Sequence, residues 1–281
     1  MRRRHRGKWA DIPAGHEDPL SYAVQSRNRS VVRMVDDAVR HRQVMLAFQP
    51  IVQARRPDFA AFYEGLLRVR DDSGRIIPAG EFIREIEETE TGRIMDCLAL
   101  EQGLQVLYEQ PALRLSINMS ARSIGYDRWT RTLKRGLKRD ATVAERLILE
   151  ITEASAMTVP ELVTNFMAPL QRKGISFALD DFGAGFTSFR YLRDFFFDVV
   201  KIDGQFIRGI HADPDNQVLT RALVSIAQQF DMFTVAEFVE SAEDVAFLTD
   251  IGVDCLQGYY FGAPTVHPTW EQEIGETARA G

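Results

Sequence analysis

The sequence predicts an α/β fold, a modified TIM (β/α)8 barrel whose first strand runs antiparallel to its neighbours. Three observations carry this. Eight short runs rich in β-branched and aromatic residues recur along the 281 residues: 45–52, 59–69, 113–119, 147–152, 176–181, 198–203, 234–239 and 254–260. Stretches with apolar residues at helical spacing lie between most of them, around 80–90, 93–110, 129–139, 159–173, 187–194, 214–230 and 241–250. Only six residues separate the first two runs, too few for the crossover that parallel neighbours need, so the first strand is antiparallel.

In chain order, residues 1–29 read as a basic, weakly ordered N-terminal arm. Its tip, MRRRHRGK, carries five Lys/Arg and no acid, and residues 9–29 mix Pro, Gly and charge without a sustained period. Ser30 reads as the N-cap of a helix over VVRMVDDAVRHR, and residues 30–281 as one barrel domain with no linker dividing it. The net charge is −6, and without the basic tip the remainder is more acidic still, a poor general binder of nucleic acid. The tip is read as a solvated tail, with contact to nucleic acid or another partner as the lesser reading. Cys97 and Cys255 match no metal or redox spacing and read as small buried hydrophobes of a reducing compartment. With no apolar run long enough to span a bilayer and no secretory signal core, a cytoplasmic location is expected.

Chemistry in such barrels sits at the C-terminal ends of the strands. Those ends carry Glu64 and Arg68, Asn118, Glu150 and Glu153, Asp180 and Asp181, Lys201 and Asp203, Glu237 and Glu240, and Gln257. Any one of these could be a helix cap or a solvated loop residue. Capping favours Ser, Thr, Asp or Asn, however, and does not account for Glu inside LILEIT or TVAEFV. A shared ring of oxygen ligands accounts for all of them. The five histidines lie away from the strand ends, so the donors are carboxylates and an amide, which suit Mg²⁺ or Mn²⁺, with enough carboxylates for two ions. The adjacent Asp180 and Asp181 cannot face one site from within a regular strand; they are expected to straddle the strand's end, bent by Gly183 and Gly185.

These residues occur in the motifs FQPIV (48–52), YEGLLR (63–68), INMS (117–120), EITE (150–153), DDFGAGFTSFRYL (180–192), KID (201–203), AEFVE (236–240) and QGYYFGAP (257–264). In that order and spacing the chain resembles the EAL family of cyclic-di-GMP phosphodiesterases from about Phe48 to Pro264. The resemblance implies two-metal hydrolysis of cyclic-di-GMP to linear pGpG. It implies that Glu64, Asn118, Glu150 and Asp180 hold one ion and Asp180, Asp181 and Glu237 the second. Lys201 would orient and help deprotonate the attacking water, Gln257 would hydrogen-bond near it, and Arg68 would pair with a substrate phosphate. Glu153 would pin the loop after the fifth run, Gln49 would lie near guanine or phosphate, and Glu240 would be a supporting acid. A homodimer is implied as well. The alternative is a cyclic-di-GMP receptor or protein-interaction module without turnover, which the intact acids and lysine disfavour.

Three departures from the family pattern stand out. Gly65 replaces the signature Ala, with a minor loosening expected. Phe238 stands where the family usually has Gly: if that Gly serves backbone freedom, the bulky residue shifts Glu237, and if the position faces an open cleft, Phe238 stacks on guanine. Phe189 and Arg190 read as tolerated variation.

Overall fold

The computed structural model describes residues 19–185, 192, 195–268 and 270, with side chains from Arg27 onward. The basic tip, Phe189, Arg190 and most of the helical stretch expected over 187–194 lie outside the described residues. Helix α1 spans Pro19–Arg40, so Ser30 is not its N-cap, and residues 19–29 belong to the helix rather than to a loop. Pro19 takes the first helical position, where its missing N–H costs nothing. Ser30 sits mid-helix facing solvent, where serine is only mildly unfavourable.

Strand β1 (Val44–Gln53) turns through Ala54–Arg55 into β2 (Arg56–Arg70), and the two pair antiparallel as expected. A short strand the sequence did not signal, β3 (Ile76–Pro78), pairs antiparallel with the far end of β2. Then follow α2 (Ile83–Ile86), α3 (Glu90–Glu109), β4 (Leu115–Asn118), α4 (Asp127–Arg139), β5 (Leu147–Thr152), α5 (Glu153–Thr158) and α6 (Pro160–Gln171). The remaining described elements are β6 (Ser176–Phe182), β7 (Val199–Ile202), α7 (Gly204–Ile207), α8 (Pro214–Gln229), β8 (Phe233–Ala236), α9 (Ala242–Asp250) and β9 (Cys255–Leu256).

Parallel pairing runs from β2 through β4, β5, β6, β7 and β8 to β9. Strand β9 meets β1 antiparallel at Val52↔Leu256 and Gln53↔Cys255, which closes an eight-stranded barrel with β3 flanking β2. Closure removes sheet edges, and the antiparallel β1 lets a tight hairpin replace one helical crossover.

Most buried apolar residues fill the layer between strands and helices. A second, smaller cluster consists of Ile51, Phe62, Ile148, Ala178, Val199 and Val235, one from each of β1, β2, β5, β6, β7 and β8, with Cys255 packed against it. This is the barrel's interior floor. Because side chains alternate along a strand, the residue two positions on must face inward too. Phe62 leads to Glu64, Ile148 to Glu150, Ala178 to Asp180, Val199 to Lys201 and Val235 to Glu237. The sheet's period of two thus sets a polar layer on an apolar floor. No described helix is long and apolar enough to cross a membrane.

Candidate active site

At the centre of the polar layer Lys201 is almost fully buried, 1% exposed. Its Nζ lies 3.3 Å from Glu64 Oε2, 3.0 Å from Glu150 Oε2, 3.1 Å from Asp180 Oδ1 and 2.7 Å from Glu237 Oε1. The surrounding amides tie in the remaining oxygens. Asn118 donates to Glu64 Oε1 at 2.7 Å, and Gln257 Nε2 donates to Glu64 Oε2 at 2.7 Å and to Gln49 Oε1 at 3.0 Å. Gln49 in turn donates to the Gly262 carbonyl at 3.0 Å, which moors the chain after β9 to β1.

The Asp pair is positioned differently from the expectation. Both residues lie inside β6, not across its end. The register with β7 breaks between Leu179 and Phe182, and Asp181 takes a left-handed backbone with φ 56°. A bulge of this kind turns two successive side chains toward one side. Asp180, Asp181 and Glu237 each offer a carboxylate oxygen within 4.8 Å of the others. Glu153, the first residue of α5, accepts the Gly183 N–H at 2.9 Å and so ties α5 to the chain just past the bulge.

Burial dominates the electrostatics. Burial disfavours the Lys201 ammonium, but Asp180, Glu150, Glu237 and Glu64 more than offset this and hold it well above the ordinary lysine range. Burial pushes the Glu150 carboxyl up to about 8, only partly opposed by Lys201. Glu237 and Asp180 are raised by the same cause, and Asp181 is pushed to about 6 by burial together with the charges of Asp180 and Asp203. Glu64 is also raised by burial, yet Lys201, Gln257 and Asn118 more than offset this, and its carboxyl is held below the usual range. One internal cation is too little for this many acids, which is why Glu150, Asp180, Asp181 and Glu237 stay raised above the ordinary carboxylate range.

The donor set fits hard divalent cations. Glu150 Oε1 and Gln257 Oε1 are buried without a hydrogen-bond partner, and Asp180 Oδ1 has the lysine at ion-pair distance but no hydrogen bond. Orphaned buried oxygens are costly unless a hydrogen-bond donor or a cation takes them up, and carboxylate oxygens grouped this closely suit a cation.

Other sequence-read residues lie around the layer. Arg68 is half-buried on β2, donates to the Leu67 carbonyl at 2.8 Å, and has its guanidinium pKa lowered by burial against the opposing charge of Glu64. Glu240 is exposed, and no described contact joins it to the cluster. Asp203 caps α7, accepting the Gln205 N–H at 2.8 Å, so at this strand end the helix-cap reading holds. Ser116, two residues before Asn118 on the same face, was missed; it is fully buried, donates to the Tyr63 carbonyl at 3.4 Å and acts weakly against the burial-driven rise of the Glu150 carboxyl. The inward period from Asn118 was the signal for it.

A family model for the EAL domain matches residues 32–264. The chain belongs to the EAL domain family. It is 30% identical over 239 residues to cyclic di-GMP phosphodiesterase PdeF of Escherichia coli, covering 84% of this chain and 32% of PdeF. The chain thus spans about a third of the length of that curated relative. Among solved EAL structures, the PaMucR phosphodiesterase in complex with c-di-GMP superposes with TM-score 0.74 at 28% identity, covering 84% of this chain and 97% of that one. The FimX EAL domain of Pseudomonas aeruginosa bound to c-di-GMP gives 0.76 at 25%, covering 84% and 96%.

Two departures from the EAL pattern now have physical content. At Gly65 an added Cβ would lie 2.7 Å from Ile117 Cδ1, so the space of the missing methyl is already filled by Ile117 and no loosening results. Phe238 has φ 55°, the left-handed region that glycine enters freely, so this position does demand backbone freedom. The residue is nonetheless 45% exposed.

Proposed function

We propose that this EAL domain hydrolyses one phosphodiester bond of cyclic-di-GMP to give linear pGpG, using Mg²⁺ or Mn²⁺. The observation that carries the reading is the buried ring of Glu64, Glu150, Asp180 and Glu237 closed on Lys201, with carboxylate oxygens left over that suit further cations. The names of the relatives and the ligand in the similar solved structures support the substrate.

Glu64, Asn118, Glu150 and Asp180 would hold one ion, and Asp180, Asp181 and Glu237 the other. Bound there, paired divalent cations supply a hydroxide-like nucleophile at neutral pH and absorb charge on the phosphoryl oxygens. Lys201 acts through its charge. Held protonated by four acids, it cannot take a proton itself, but its ammonium favours hydroxide over water as the attacking species. Gln257, fixed between Glu64 and Gln49, presents an unpartnered amide oxygen that can orient the water's hydrogens. Arg68 supplies a guanidinium for a substrate phosphate, and Gln49 borders the same rim. Glu153 steadies the bulge through Gly183. Glu240 is assigned only a supporting charge on the loop after β8, and the protein is taken to act as a homodimer.

Incubating the purified chain with cyclic-di-GMP and Mn²⁺ and resolving nucleotides by chromatography should show pGpG. Chelator should abolish the product, and Glu64→Ala should abolish it while leaving binding detectable. Tight binding with no product from the unmutated chain would replace the enzyme reading with that of a receptor.

A further inference from the structure

The segment 237–239 is clamped on both sides by backbone hydrogen bonds: Glu237 N–H donates to the Ile202 carbonyl and Val239 N–H to the Gln257 carbonyl. Between these fixed neighbours Phe238 takes a positive φ of 55°, a conformation costly for a bulky side chain. Ordinary packing does not compensate, since nearly half of the residue is exposed. Two described features flank the ring. Gly204, at the start of α7, leaves it room: a Cβ there would lie 2.2 Å from Phe238 Cδ2. The Arg208 guanidinium stands 4.2 Å from the ring centroid, and no ion pair among the described residues engages that cation. Glu237, adjoining Phe238, is in the buried ring, and Gly204 follows β7 at the same end of the barrel, so the aromatic lies on the rim of the site.

We propose that Phe238 and Arg208 form a stacking shelf for one guanine of the substrate, with Arg208 holding one face of the ring and the base taking the other. The inference rests on the proposed function, because it takes its ligand from there. A strained, exposed aromatic backed by an unneutralised cation suits a flat, anionic, base-bearing ligand. Gly204 is the residue that makes this possible where the family usually keeps glycine at 238. Any side chain at 204 would push the ring off the shelf.

The test is the affinity for cyclic-di-GMP, measured by calorimetry in chelator, where hydrolysis is stopped. Phe238→Gly should weaken binding about fivefold or more, without lowering Tm, because the backbone strain is relieved. Phe238→Trp should bind like the unmutated chain, and Arg208→Ala should weaken binding in the same direction as Phe238→Gly. Equal affinity across all three variants overturns the shelf while leaving the functional reading intact. No binding by the unmutated chain, together with no pGpG formed in Mn²⁺, overturns both. A parallel fall of affinity and Tm in both Phe238→Gly and Phe238→Trp overturns it in favour of a purely structural role.

Discussion

Four carboxylates within 3.3 Å of one buried ammonium set the behaviour of the metal-free site at the scale of single residues. Lys201 is the internal counter-charge, and without it the acids can relieve their repulsion only by taking up protons or moving apart. Removing one partner of a buried ion cluster usually costs about 3–5 kcal/mol. Lys201→Met is therefore expected to lower the Tm of the metal-free protein by about 6–10 °C, given the usual slope for a domain of this size. Added Mn²⁺ should recover more Tm in this variant than in the unmutated chain, because the ions then supply all of the positive charge. Differential scanning calorimetry with chelator and with Mn²⁺ checks both parts. An unchanged metal-free Tm would mean that the lysine does not hold the ring together.

At the scale of elements, the site depends on close backbone contacts at the ends of β8 and β9. A Cβ on Gly258 would lie 2.0 Å from the Val239 carbonyl oxygen and 2.3 Å from its nitrogen, and neither atom can rotate away. Gly258→Ala should therefore part the segment carrying Glu237 from the one carrying Gln257. A loss of soluble protein, or a Tm lower by several degrees together with loss of Mn²⁺ binding, is expected. Gly80→Ala, where nothing lies within 4 Å, serves as the control and should be silent. Equal Tm for the two variants would refute the argument.

The elements also show what could be read from the chain alone. Glu150 inside LILEIT and Lys201 inside DVVKID were legible because an ionisable residue in an apolar run has no bland explanation when the strand is buried. Strand β3 and helices α5 and α7 were not, because three to six residues are too few to display a period. The start of α1 was misplaced because serine marks an N-cap only where the chain upstream is not already helical. The bulge at Asp181 left no sign, since aspartate enters the left-handed region without a neighbouring glycine. Contacts such as Gly204 against Phe238 join residues far apart in sequence, so no local pattern encodes them.

At the scale of the whole molecule, proton, metal and folding equilibria are linked through the same acids. Burial raises Glu150 to about 8 and Asp181 to about 6, and lifts Glu237 further above its ordinary range. Asp96 on α3, raised to about 6 by burial despite hydrogen bonds from Ser123 and Ser120, acts in the same sense. An acid whose folded pKa lies above its unfolded value binds more protons folded than unfolded between the two, so stability falls as pH rises through that window. Glu64, whose folded pKa is depressed, works the other way, but its contribution is already complete once pH exceeds the ordinary glutamate value. The metal-free protein should therefore lose Tm progressively from about pH 5 to pH 8. Divalent cations need the same carboxylates deprotonated, so their binding releases protons and strengthens with pH. The Tm gained on adding Mn²⁺ should grow across that interval, bringing the loaded protein's profile close to flat. Thermal melts at pH 5, 6, 7 and 8, each with chelator and with Mn²⁺, read both curves. A metal-free Tm that rises over this range, or a Mn²⁺ gain that does not change with pH, would show that these acids are already ionised and that the ring is balanced by its own side chains.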